Sequence, residues 1–124
     1  MLALHFRYNS LNVVDILLAS GADVTARNVH GSSALHIASM CGHLRIVKRI
    51  LKQKQVSVYD VDNTDSIPLQ YACAHNHLDV CRFLFDRGED GLKKRDSEGR
   101  TALHLAAAAG HKGILIFLIS SGKQ

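Results

Sequence analysis

The fold is decided by one stretch near the C-terminus, which reads Gly99-Arg100-Thr101-Ala102-Leu103-His104-Leu105-Ala106-Ala107-Ala108-Ala109-Gly110-His111. The residues 34 positions earlier read Asp65-Ser66-Ile67-Pro68-Leu69-Gln70-Tyr71-Ala72-Cys73-Ala74-His75-Asn76-His77. A further 34 positions earlier the chain reads Gly31-Ser32-Ser33-Ala34-Leu35-His36-Ile37-Ala38-Ser39-Met40-Cys41-Gly42-His43. A fixed period of this length is typical of a solenoid, in which each unit stacks on its neighbours.

The three copies resemble the Thr-Pro-Leu-His-x-Ala core of the ankyrin repeat. The matching segments begin at Ser33, Ile67 and Thr101, and Gly21-Ala22-Asp23-Val24 resembles the family's loop between repeats. The resemblance covers essentially the whole chain. It implies an all-α solenoid of stacked helix-turn-helix units, joined by β-hairpin-like loops.

The repeat divides residues 1–124 into four units of one domain. We expect a partial repeat over 1–26, repeats over 27–59 and 60–94, and a truncated repeat over 95–124. Helix pairs are predicted at 33–41 and 44–53, at 67–75 and 78–87, and at 101–109 and 112–121. Since neither end has the polar outer face of a terminal repeat, we expect the chain to be an excerpt of a longer array.

Composition limits the class of protein and its compartment. The chain has 124 residues, of which 47% are apolar and 21% charged, as in one globular domain. No apolar run is long enough for a membrane span, and Met1 to Tyr8 does not resemble a secretion signal. Three cysteines without a disulfide framework favour a reducing compartment, so we expect an intracellular protein, cytoplasmic or nuclear.

Several residues depart from the repeat motif in ways that chemistry can accommodate. Asp65 and Asn76 stand where glycine is usual, and both residue types tolerate a positive φ. Pro68 falls in the first turn of its helix, where its missing N–H costs little. By resemblance, the motif Thr and His bond to each other and to the neighbouring repeat's turn. Gln70 replaces this His, and its two-sided amide can partly take over that role.

A metal or catalytic site is not favoured by the histidines and cysteines. The closest match to a zinc site is Cys73-x-His75-x-His77-x-x-x-Cys81. Cys73 and His75 are two positions apart on one predicted helix, so they point to different faces. His77 recurs as His43 and His111, which a repeat explains and a single metal site does not. We therefore predict no metal and no cofactor.

Enzymatic and nucleic-acid roles also lack support. No nucleophile, base and oxyanion donor form a recognisable set, and no glycine-rich phosphate loop is present. The net charge of +4 is too mild to argue for a nucleic-acid partner. The densest basic cluster, Lys93-Lys94-Arg95, has no interleaved aromatic residues for stacking.

The resemblance therefore implies a non-catalytic protein-binding module, acting as a scaffold, an adaptor or a regulatory region. In the family, hairpin tips and the exposed side of each first helix line a concave groove that binds proteins. By position, the tips contribute Val29, His30, Ser32, Asn63, Thr64, Ser66, Ser97, Glu98 and Arg100. The first helices contribute Arg7, Tyr8, Met40, Cys41, Ala74, His75, Ala108 and Ala109. The alternative is a structural role in the cytoplasmic ankyrin array of an ion channel or membrane-skeleton linker.

The last predicted helix is apolar nearly all round, from Ile114 to Ile119. The family pattern turns Ile114, Phe117 and Leu118 inward and leaves Ile116 and Ile119 uncovered. We expect this uncovered patch to cause weak self-association, without insertion into a membrane. Leu103, like Leu35 and Leu69, is predicted to be a core side chain between repeats.

Overall fold

The computed structural model describes residue 16 and residues 18–122, and the regular structure of this part is helical. Its α-helices are α1 (Ala34–Cys41), α2 (Leu44–Ile50), α3 (Pro68–Ala74), α4 (Leu78–Arg87), α5 (Ala102–Ala109) and α6 (Lys112–Gly122). A 3₁₀ helix, Glu89–Lys93, follows α4. The described residues contain no strand, so the predicted all-α solenoid is confirmed. None of these helices combines the length and the apolar character that crossing a bilayer requires.

Side-chain caps start the first helix of two units. Ser33 precedes α1 and Thr101 precedes α5, and each hydroxyl accepts the backbone N–H of the histidine three residues later. That N–H belongs to the first turn, where the helix itself offers no acceptor. The third unit has Ile67 at this position, and α3 begins instead with Pro68, as expected from its position in the first turn.

Left-handed residues end helices and shape loops at the expected positions. Gly42 and Gly110 follow α1 and α5 with φ of 77° and 75°. Asp65 and Asn76 have φ of 60° and 65°, which confirms that they replace glycine. The second helix of the second unit is shorter than predicted, since α2 ends at Ile50. Backbone bonds of the tighter i to i+3 type follow, including Gln53 N–H to the Ile50 carbonyl.

The core runs through the stack of first helices. α1 packs on α3, and α3 packs on α5, while each also contacts the second helix of its own unit. Leu35 is 0% exposed and Leu69 is 2% exposed, because each lies between two units. The largest fully buried apolar side chains elsewhere in the core are Ile46, Val47, Ile50, Ile67, Val80, Leu84 and Ile114.

The prediction that Leu103 is a core side chain is wrong. Leu103 is 41% exposed, although it lies at the same repeat position as Leu35 and Leu69. Within the described residues, no later unit packs on α5, so the face that these leucines share is open there. Ala107 is also exposed, whereas its counterparts Ser39 and Cys73 are fully buried.

The predicted faces of α6 agree with the structure. Ile114 and Leu118 are buried, and Phe117 is partly buried against the core. Ile116 is 67% exposed and Ile119 is 50% exposed. The fourth unit therefore has an apolar outer surface that the rest of the described chain does not cover.

Candidate functional site

The hairpin tips are shaped by an Asn or Asp side chain that recurs every 34 residues. Asn28 Oδ1 accepts the N–H groups of His30 and Ser32 at 2.9 and 3.0 Å. Asp62 and Asp96 accept the equivalent N–H groups of their own tips at 2.8 to 2.9 Å. These three residues were not among the predicted site residues, although their 34-residue spacing was a usable signal. Each carboxylate or amide holds its turn in one conformation.

Successive tips are also bonded to each other. Asn63 N–H donates to the His30 carbonyl at 3.0 Å, and Ser97 N–H donates to the Thr64 carbonyl at 2.8 Å. Arg27 adds a further link, because its Nη1 donates to the Val61 carbonyl at 2.7 Å. These bonds fix the spacing of the tips along one edge of the solenoid.

His36 and Gln70 join the first helices to the next unit's tip. His36 Nδ1 accepts the Ser33 N–H, so Nε2 carries the hydrogen and donates to the Ser66 carbonyl at 2.8 Å. Gln70 makes both bonds with one amide: Oε1 accepts the Ile67 N–H at 2.8 Å, and Nε2 donates to the Arg100 carbonyl at 2.9 Å. Gln70 therefore replaces the imidazole on both sides, more completely than predicted. Burial lowers the pKa of His36 and favours its neutral form.

His104 repeats only the first half of this pattern. Its Nδ1 lies 2.8 Å from the Thr101 hydroxyl, as the resemblance implied. The side chain is exposed, because the described residues contain no later tip beside it. The motif histidine thus bonds to the next unit's tip in the second unit, whereas its side chain is exposed in the fourth unit.

Tyr71 is the main groove residue that sequence reasoning missed. Its hydroxyl donates to the Asp62 carboxylate, so the Ser32 hydroxyl, 2.6 Å away, donates to the Tyr71 oxygen. Burial, together with the bond to Asp62, raises the pKa of Tyr71 to about 12. Burial alone would raise the pKa of Asp62, but its hydrogen bonds from Tyr71, Ser66 and Thr64 outweigh this effect and lower the pKa. Tyr71 therefore stays protonated and Asp62 stays charged at neutral pH.

A depression of about 260 Å³ lies beside Tyr71, between the tip of the second unit and helices α1 and α3. Ile37 and Met40 form an apolar wall, and polar groups form its rim. Its lining residues are Asn28, His30, Ser32, Ile37, Met40 and Tyr71. The volume is below that of most small-molecule sites and suits a side chain of a protein partner.

The predicted groove residues differ in how much surface they offer. Exposed residues are Val29, His30, Asn63, Thr64, His75, Ser97, Glu98, Arg100, Ala108 and Ala109. Met40, Cys41 and Ala74 are partly buried, and Arg7 and Tyr8 lie outside the described residues. Ser32 and Ser66 are buried, with their hydroxyls bonded to Tyr71 and Thr64, so their side chains offer little contact surface. The Ser66 hydroxyl is used inside its own turn and the Ser32 hydroxyl in the contact with Tyr71, so a direct contact of these two side chains with a partner stays a prediction.

The Cys and His residues considered for a zinc site differ in their burial and in their contacts. Cys73 and Cys81 are both buried, with their sulfurs 3.0 Å apart, while His75 is exposed. The bond to Cys73 and burial raise the pKa of Cys81, which keeps the thiol protonated. His111 links two units, since its Nε2 lies 3.0 Å from the Ala74 carbonyl. In the described part of the chain, no three His, Cys, Asp or Glu side chains are grouped to hold a metal ion.

Comparisons with known proteins identify the repeat. A family model described as ankyrin repeats (3 copies) matches residues 1–95 and 59–124. The chain is 39% identical over 99 residues to the E3 ubiquitin-protein ligase KEG of Arabidopsis thaliana. The aligned residues cover 78% of this chain and 6% of that protein. The chain is 32% identical over 111 residues to the NF-kappa-B inhibitor cactus of Drosophila yakuba, covering 90% of this chain and 21% of the relative.

A third similar protein is the nuclear factor NF-kappa-B p105 subunit of Gallus gallus. It is 36% identical over 96 residues, which are 76% of this chain and 10% of the relative. The chain thus spans between 6% and 21% of the length of these three relatives. What they share with it is the repeat array, rather than a whole protein.

Proposed function

Since the chain belongs to the ankyrin repeat family, a family of protein–protein interaction modules, we propose that it binds another protein through its concave groove and hairpin tips. The role is non-catalytic, as in a scaffold, an adaptor or a regulatory region. The observation that carries this proposal is the depression beside Tyr71. It combines an apolar wall with a polar rim on a surface whose turns are held by hydrogen bonds.

The groove is suited to binding because its backbone is already ordered. The tips bond to each other and to Asn28, Asp62 and Asp96, so little conformational entropy is lost when a partner binds. The depression has the size of one large side chain. We propose that it receives an apolar side chain of the partner against Ile37 and Met40, while exposed His30 and Asn28 contact the partner's backbone.

The relatives support protein recognition rather than catalysis. Two of them are named as an NF-kappa-B inhibitor and as a subunit of nuclear factor NF-kappa-B. KEG is named as a ligase, but the aligned segment is 6% of that protein. The names of these relatives do not identify the partner of this chain.

We also propose an intracellular location. Cys73 and Cys81 are thiols that form no disulfide, and their sulfurs lie 3.0 Å apart. Adjacent unpaired thiols are typical of proteins from a reducing compartment.

A photo-crosslinking residue placed at Met40 tests the groove directly. Incubation with cytosol and mass spectrometry should identify one protein that crosslinks from position 40. A probe at Arg45, which is exposed on α2, is the matched control and should not capture it. The purified partner should then bind Met40→Glu at least about tenfold more weakly than wild type, and Arg45→Glu nearly as well as wild type.

The reverse crosslinking pattern would contradict binding through the groove. Capture from position 45 but not from position 40 would mean that the partner binds the surface of α2 around Arg45 instead. Capture from neither position would favour the alternative proposal, a structural role within the cytoplasmic array of a channel or membrane-skeleton linker.

A further inference from the structure

The side chain that shapes each hairpin tip ends in two polar atoms, and the tip of the second unit uses only one of them. Oδ1 of Asn28 accepts two backbone N–H groups, those of His30 and Ser32. Because both groups are donors, the atom that they meet is the amide oxygen, and the other atom is the nitrogen Nδ2. Among the residues that the structure describes, this nitrogen has no hydrogen-bond partner.

The corresponding atom is occupied in both later units. Oδ2 of Asp62 accepts a hydrogen bond from the hydroxyl of Tyr71. Oδ2 of Asp96 accepts a hydrogen bond from Nε of Arg100 at 2.9 Å. In these two units the chain itself therefore supplies a partner for each of the two terminal atoms.

Neither kind of partner is available to Asn28. One repeat period before Tyr71 the chain has Ile37, whose side chain cannot form a hydrogen bond. Two periods before Arg100 it has Ser32, whose hydroxyl donates to Tyr71 instead. Asn28 is exposed and lines the depression beside Tyr71. Its two Nδ2 hydrogens are thus unused donors at the rim of an apolar depression.

We propose that Asn28 determines which segments the groove accepts, because its Nδ2 donates to a main-chain carbonyl of the partner. This inference rests on the proposed protein-binding function and specifies the partner's chemistry. An apolar side chain of the partner lies against Ile37 and Met40, and a carbonyl of the same segment meets Asn28 at the rim. The segment is extended or in a loop, since carbonyls inside a helix are already bonded within that helix.

Charge favours a neutral carbonyl over a carboxylate as the acceptor. The Asp62 carboxylate, which is ionised at neutral pH, bonds to the Tyr71 hydroxyl beside the depression and repels a second negative group. Arg27 carries the opposite charge, but its Nη1 already donates to the carbonyls of Gly31 and Val61 at 2.9 and 2.7 Å. A neutral acceptor therefore fits this site better than an acidic side chain.

An NMR titration with a blocked amino acid tests the inference. The probe is N-acetyl-leucine N-methylamide, which has an apolar side chain and neutral main-chain carbonyls. A fragment of this size should bind the wild type with a dissociation constant on the order of 1 mM. The shifts should centre on residues 28–40 and 71 and should include the side-chain amide of Asn28. N-acetyl-leucine, which ends in a carboxylate, should bind more weakly.

Asn28→Asp tests the donor without removing the turn. Aspartate holds the tips of both later units, so the variant should keep its Oδ1 bonds and its helical circular dichroism. Because an acceptor replaces the N–H donors, the probe should bind about tenfold more weakly. The matched control is Asn76→Asp, the same exchange at an exposed residue between α3 and α4, where Asp65 shows that aspartate adopts a positive φ. This control should bind the probe as the wild type does.

Each contrary result has a separate meaning. Equal binding to wild type and Asn28→Asp would overturn the donor role, although an apolar group would still occupy the depression. Tighter binding of the carboxylate probe would overturn the neutral acceptor. If no shift appears around the depression at roughly 20 mM probe, the inference fails, while crosslinking from position 40 still decides whether the groove binds a protein.

A measurement on the wild type covers the case in which Asn28→Asp does not fold. The side-chain amide resonances of Asn28 should then shift and saturate together with the backbone resonances of residues 28–40. Side-chain resonances that stay unchanged while the backbone resonances shift would overturn the hydrogen bond.

Discussion

The third and fourth units carry the same motif, but only the third is covered on both sides by described residues. Leu69 is 2% exposed and Leu103 is 41% exposed. Gln70 bonds to the tip of the next unit, whereas the His104 side chain is exposed. The same residue position is thus a core position in one unit and a surface position in the other. In a solenoid, the contribution of a motif residue depends on whether a neighbour packs against it.

We expect the largest difference in stability between the two units at the leucine position of the motif. Leu69→Ala should lower the free energy of unfolding by about 2–5 kcal/mol, because it leaves a cavity between two units. Leu103→Ala should cost about 1 kcal/mol or less, since that side chain is already partly in water. Urea unfolding of the two variants measures both values. Equal losses would mean that the two leucines share one environment, contrary to the structure.

The motif polar position should show the next largest difference. Gln70→Ala leaves the Ile67 N–H and the Arg100 carbonyl without their side-chain partner, and should cost about 2–3 kcal/mol. His104→Ala should cost under about 1 kcal/mol, because water replaces the lost contacts of an exposed side chain. Gln70→His is the control, since the other two units have His there, and it should stay within about 1 kcal/mol of wild type. Thermal and urea unfolding should agree; a mild Gln70→Ala would refute the bridging role.

The buried His36 makes stability depend on pH. Its pKa is lowered in the folded state, so below the unfolded value near 6.5 the unfolded chain binds more protons. The stabilisation from neutral His36 is therefore present above that pH and is lost as the pH falls, with a slope of at most about 1.4 kcal/mol per pH unit. His36→Gln, which copies the third unit, should flatten the curve between pH 7 and pH 5. An unchanged slope in this variant would assign the effect to other groups.

The smallest expected effect on stability concerns the position directly after the six-residue motif, which is Ser39 in the second unit and Ala107 in the fourth. Ser39 is fully buried, and its Oγ has no hydrogen-bond partner among the described residues. Ser39→Ala removes an unsatisfied polar group and should stabilise the protein by up to about 1 kcal/mol. The reverse change in the fourth unit, Ala107→Ser, should stay within about 0.5 kcal/mol, because that position is exposed. Differential scanning calorimetry of both variants would detect the contrast, and destabilisation by Ser39→Ala would reveal a partner for its hydroxyl.

Much of the fold was predictable because its determinants are local. Caps such as Thr101, the glycines that end α1 and α5, and the tolerance of Asp65 and Asn76 for positive φ all act within a few residues of the chain. The one clear error in helix length, at α2, occurred where Gln53-Lys54-Gln55 offers no glycine stop. The candidate groove was predictable only in outline. Tyr71 and Ser32 are 39 residues apart, so their hydrogen bond has no sequence signature.

The sequence by itself determined the repeat and the helix pairs that the structure describes, because a 34-residue period and local capping chemistry can be read along the chain. It also determined which residue types stand at each tip. Only the tertiary structure decided which of these are accessible. Ser66 is buried because its turn closes around Asp62, Tyr71 lines the groove because α3 stacks beside the preceding tip, and Leu103 is exposed because burial requires a neighbour. A repeat motif specifies a residue's position within its unit, whereas its burial depends on contacts with the units on either side.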